Sequence, residues 1–136
     1  QGVWCGSVWL TTTDSAEPAF LKQKLLAAGS RDTVRSRALT GKPARQLKTP
    51  WTEAWSDKKN PDPLPMPLHF MLIADAVQRM RTHAANDPSS DAATMVPSPV
   101  GQIVGRMNAE ISATDVVNSM VAECRATIGR LAALRL

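Results

Sequence analysis

Tyrosine is missing from this 136-residue chain, and phenylalanine and cysteine occur only twice each. Single-stranded nucleic acid is held largely by stacking bases on aromatic rings, and a chain this poor in rings offers no such surface. The formal net charge of +4 and isoelectric point near 9.5 would fit an anionic partner. The basic residues, however, are spread along the chain, with small concentrations at "RDTVRSR" and "GKPARQLK". A charge of this size is chiefly a solubility property, so nucleic acid is not expected as a partner. Long hydrophobic runs are lacking too. The longest, "GVWCGSVWL" and "FMLIADAV", fall well short of the ~20 apolar residues that cross a bilayer. No charged segment followed by a cleavable apolar stretch stands at the N-terminus. The expectation is a soluble, cytoplasmic protein with no membrane partner. Cys5 and Cys124 lie far apart in apolar surroundings without metal-ligand spacing. They are expected as two buried free thiols in a reducing compartment, with no metal site.

What is present begins with "GVWCGSVWL". From Val3 to Leu10 nearly every residue is apolar, broken only by Gly6-Ser7, a pattern suited to a central strand of a parallel sheet. Such a strand needs neighbours on both sides. The only other strand pattern, "DTVRSRAL", is basic, and the chain starts with Gln1 rather than Met. The chain is therefore expected to be part of a longer one. Next, Ser15 or Asp14 can cap a helix whose first turn carries Glu17 and Pro18 and which Gly29 is placed to end. "DTVRSRAL" follows as a strand that puts Arg35 and Arg37 on one face. Pro43 and Pro50 each suit the first position of a short helix, with Thr49 capping the second. Trp51 and Trp55, one turn apart, should cover one patch. Prolines 61, 63, 65 and 67 predict an extended strap, after which a helix runs from Phe70 to about Arg81 and a polar loop covers "THAANDPSSDAAT". The last helix, capped by Ser112 or Thr114, carries one apolar stripe through Val117, Met120, Val121, Cys124, Ile128 and Leu131 and must pack on something large.

Four segments in order, "GVWCGSVWL", "DTVRSRALTGKPARQLK", "PLPMPLHF" and "PVGQIVGRMN", followed by the closing amphipathic helix, resemble the C-terminal part of the nitronate monooxygenase family, once called 2-nitropropane dioxygenases. The resemblance implies an α/β fold: the C-terminal portion of an FMN-binding TIM barrel, its last strand and closing helix, with an inserted, mostly helical second domain. Residues 1–10 would be the last barrel strand and phosphate-binding turn, 11–95 the inserted domain with its proline-rich strap, and 96–136 the return to the barrel and the closing helix. It further implies FMN as cofactor, alkyl nitronates oxidised with molecular oxygen, a small-molecule substrate, and an N-terminal barrel portion of the same protein as partner.

TIM barrels commonly hold phosphate at the ends of their last two strands. Gly6 has no side chain to obstruct a phosphate, and Ser7 offers a backbone amide and a hydroxyl. Trp4, Cys5, Gly6, Ser7 and Gln102 are the expected cofactor-binding residues. Gln102 can donate and accept at once, toward a flavin edge or a nitro or carbonyl oxygen. Arg35, Arg37, Lys42 and Arg45 could draw in an anion, or simply form a solvated face. No catalytic residue is expected here: the family's base is a histidine upstream of the matched segments, and His69 and His83 do not match it. Met66 stands where relatives often carry tyrosine. A flavin-dependent enoyl-acyl carrier protein reductase on the same scaffold and a stand-alone helical interaction module are the alternatives.

Overall fold

The computed structural model describes residues 2–134. Residues 2–6 have no regular structure, and a 3-10 helix follows over Ser7–Thr11. The strand expected over Val3 to Leu10 is thus not formed. A strand exists only through its ladder, and no described strand lies beside this segment. Its backbone turns back on itself instead: the Trp9 amide donates to the Gly6 carbonyl (3.3 Å) and the Trp9 indole Nε1 to the Cys5 carbonyl (2.8 Å).

Helix α1 spans Ala19–Leu26, with Pro18 at its N-cap and Ala27 at its C-cap, so it starts later and ends earlier than Glu17 and Gly29 suggest. A 3-10 turn at Ser30–Asp32 leads into β1, Thr33–Ser36. Its partner is β2, Ala44–Leu47, antiparallel with Val34 opposite Gln46 and Arg35 opposite Arg45. Pro43 therefore precedes a strand and not a helix. Proline's fixed φ and missing donor suit the start of either element, and pairing with β1 decides between them. Between the strands Gly41 has φ +82°, and a Cβ there would run into the Leu64 carbonyl, so glycine lets the strap pass. Arg37 leaves the ladder face and donates to the Gly41 and Pro63 carbonyls (2.8 and 3.0 Å), tying the turn to the strap.

Helix α2, Pro50–Ala54, has the expected cap: the Thr49 hydroxyl accepts from the Thr52 amide. Trp51 and Trp55 pack edge to face at 6.0 Å, and Trp55 meets the buried His69 ring at 4.5 Å. Helix α3, Leu68–Asn86, is longer than Phe70 to Arg81. Helix α4, Asp91–Met95, occupies part of the stretch expected as loop. A 3-10 helix at Gln102–Arg106 precedes α5, Ala113–Ala132, whose cap is Ser112.

The core gathers Phe20, Leu21 and Leu25 of α1 with Leu47, Ala84, Ala93, Val96, Val100, Val104 and Met107. The run 98–100 lies along β2: the Leu47 amide donates to the Ser98 carbonyl and the Val100 amide to the Arg45 carbonyl. Helix α5 contributes little to this core, since Val116 is its one buried residue. Cys5 is half-buried and Cys124 exposed, so the expectation of two buried thiols fails for the same reason as the strand: the faces that carry them have no cover among the described residues. No described helix is long and apolar enough to cross a membrane.

Candidate functional site

The 3-10 helix at Ser7–Thr11 is held where it is by contacts across the chain. The Thr13 amide donates to the Ile111 carbonyl (3.0 Å), and the Ala113 amide donates to Asp14 Oδ2 (2.8 Å). That amide and the Thr13 hydroxyl hold the Asp14 carboxyl below its ordinary range. Lys22, almost fully buried, donates to the Thr12 carbonyl (2.7 Å) and to Glu110 Oε1 (2.8 Å). A buried ammonium requires such partners.

At the head of this helix, Ser7 Oγ accepts from the Gly101 amide at 2.9 Å, and Gln102 is the next residue. Gly6, Ser7 and Gln102 are therefore neighbours although they are far apart in sequence. Because Ser7 Oγ uses an acceptor position toward Gly101, its own proton stays available for an oxygen ligand. Gly6 has φ −116°, which any residue adopts, so its backbone conformation does not demand glycine. A Cβ at Gly6 would meet nothing within 4 Å. The open space there and the free hydroxyl proton suit a phosphate oxygen. Gln102 is exposed, and its side-chain amide bonds to none of the described residues. Its carbonyl accepts from Ser30 Oγ at 2.6 Å.

Trp4 and Cys5 are placed differently. Trp4 is 99% exposed, and with Val3, Cys5 and Trp9 it lines a groove of about 640 Å³ whose other wall is Val117, Met120 and Val121 of α5. The first strip of chain and the apolar stripe of α5 thus form one open apolar surface. Arg35, Lys42 and Arg45 are exposed, and Arg45 donates to Thr33 Oγ1 (3.0 Å). His69 is fully buried with Nε2 on the Ala38 carbonyl (3.2 Å), and His83 Nδ1 lies 3.3 Å from Ser90 Oγ. Among the described residues no group of three or more His, Cys, Asp or Glu could hold a metal.

Sequence reasoning missed Ser30 and Lys22, and it read Asp14 only as a possible cap of the first helix. A serine near a helix end and a charged residue on a helix are commonplace, and the partners here are 72, 88 and 99 residues away.

The sequence profile of nitronate monooxygenases matches residues 1–123. The chain belongs to the nitronate monooxygenase family. A Mycobacterium tuberculosis protein described as a "putative monooxygenase" is 49% identical over 134 residues, which is 98% of this chain and 36% of that protein. The chain thus spans about a third of the length of this curated relative. No solved structure gives a significant match. The mixture of helices with a two-stranded sheet is consistent with a fragment of a nitronate monooxygenase family protein.

Proposed function

We propose that the whole protein is an FMN-dependent oxidoreductase on a TIM barrel that oxidises alkyl nitronates with molecular oxygen. The observation that carries this reading is the junction of Ser7 with Gly101 in a chain of the nitronate monooxygenase family. It brings a free hydroxyl proton and an open glycine to the backbone just before Gln102. Ser7 would donate to the FMN phosphate, and Gly6 would leave room for it. Gln102 would orient a nitronate oxygen or a flavin edge. Bound there, FMN supplies the redox chemistry between nitronate and oxygen, and the protein supplies placement. The proton acceptor would belong to the part of the protein outside this chain, as the family resemblance implies, while His69 is buried in the α2–α3 contact.

The test uses the whole protein: flavin content by absorbance, and oxygen consumption on a short alkyl nitronate against reduction of an enoyl thioester with a nicotinamide donor. Bound FMN with nitronate-dependent oxygen uptake is expected. Enoyl reduction without nitronate oxidation would overturn the substrate assignment. Ser7→Ala removes one donor to a charged partner, worth about 1.5–3 kcal/mol, and should weaken FMN by roughly ten- to a hundredfold. An unchanged flavin titration would remove Ser7 from the site.

A further inference from the structure

The run from Gly101 to Arg106 is gripped from two sides. On one side the Gly101 amide bonds Ser7 Oγ; on the other Ser30 Oγ donates to the Gln102 carbonyl. The contact with Ser30 is close along more than one residue. A Cβ built on Gly105 would meet the Ser30 backbone nitrogen at 2.6 Å and its hydroxyl closer still. Between these two grips Val104 is fully buried, and its amide donates to the Gly101 carbonyl (3.1 Å). The peptide that carries Gln102 is therefore fixed at its carbonyl, while the side chain faces solvent.

We infer that Ser30 is a positioning residue for Gln102, and that glycine at 105 is what allows Ser30 to come close enough. Ser30 sits in the connection between α1 and β1, so the backbone that carries the Gln102 side chain is held by an element remote from Ser7 in sequence. A hydrogen bond to the carbonyl restrains the peptide plane that follows Gln102, and that plane together with the ψ angle of Gln102 sets where Cβ points. Without the Ser30 hydroxyl the plane is held by the 3-10 turn alone, and the Gln102 side chain is placed less firmly toward a small anionic oxygen. This inference rests on reading Gln102 as a substrate-orienting residue.

The experiment compares the whole wild-type protein with Ser30→Ala and Gly105→Ala. Amide hydrogen exchange over 101–106 reads the grip itself. Flavin content reads the phosphate end. The affinity for isobutyrate, a carboxylate shaped like a branched nitronate, is read from the flavin absorbance, together with the KM and kcat for the nitronate. Ser30→Ala should speed exchange over 101–106 and leave flavin content unchanged. It should raise the nitronate KM and the isobutyrate dissociation constant by about threefold to tenfold, as one lost hydrogen bond implies, with kcat within about twofold. Gly105→Ala should act in the same direction. Faster exchange with both constants unchanged would show that Ser30 only stabilises the fold and would overturn the inference alone. A wild-type protein that holds no flavin would overturn the proposed function, and this inference with it.

Discussion

Helix α1 has no side-chain cap, yet it buries Phe20, Leu21, Lys22 and Leu25. Helix α5 has a Ser112 cap and an unbroken apolar stripe, yet it buries only Val116 and leaves Val117, Val121, Ile128 and Leu131 exposed. The two helices differ in what surrounds them more than in what they are made of. Helix α1 lies against α3, α4 and the run at 96–107, while the stripe of α5 borders the open groove shared with Val3 and Trp4. An apolar stripe states that a helix requires a partner, without stating that the partner lies within the same stretch of chain.

The sharpest way to break this comparison is Leu25→Ala. Leu25 is 1% exposed, and the cavity should cost about 2–5 kcal/mol in urea unfolding of the whole protein. A cost under about 1 kcal/mol would mean that α1 is not the anchored helix of the pair.

Lys24 makes the second test. Its ammonium donates to the carbonyls of Ala93, Thr94 and Val96 (3.0, 3.0 and 3.1 Å) and so ties α1 to the end of α4. Lys24→Met leaves these acceptors without that donor and should cost about 1–3 kcal/mol. Burial lowers the Lys24 ammonium to about 8 from its ordinary 10.5. Between these two values the unfolded chain keeps a proton that the native chain has released, so this group makes unfolding free energy rise with pH across that window. Urea titrations at several pH values should show that rise in wild type and lose it in Lys24→Met.

Smaller effects sharpen the other side. Ile128→Ser should cost about 1–2 kcal/mol in the whole protein if the stripe of α5 is covered there, as the barrel reading requires. A change within about 0.5 kcal/mol would mean that the stripe stays open in the whole protein as well. Ser112→Ala should cost about 0.5–1 kcal/mol, because Ser112 Oγ accepts from the Asp115 amide (3.0 Å) and local capping is one of the few supports α5 has. Circular dichroism melts check this last value.

The features legible in the sequence are those decided within a few residues. The Thr49 cap before Pro50, the Ser112 cap of α5, the strand at Thr33–Ser36 and the Trp51–Trp55 patch all depend on spacing or on side chains a turn apart. Features decided by distant partners were not legible. Pro43 fits a helix start as well as the start of β2, and only β1 decides. The apolar run from Val3 to Leu10 satisfies the pattern of a strand, but a strand must exchange hydrogen bonds with neighbours, and these residues turn into a 3-10 helix without them. For the candidate site, Gly6, Ser7 and Gln102 could be nominated from residue chemistry and family resemblance. The structure adds the bond from Gly101 and the grip of Ser30, and it lays Trp4 and Cys5 along the groove beside α5.

The long reach of the Ser7 contact has a consequence for how the protein is made. Ser7 and its partner Gly101 are 94 residues apart, and Asp14 and Ala113 are 99 apart. A ribosome adds about 5–20 residues each second, so Ser7 is incorporated roughly 5–20 s before Gly101. During that interval α1 and the β-hairpin can form, while Trp4 and Ser7 wait without their partner. The junction that would receive the flavin is thus among the last parts of this chain to close, and a nascent protein arrested before residue 101 should lack it however well its other elements have folded.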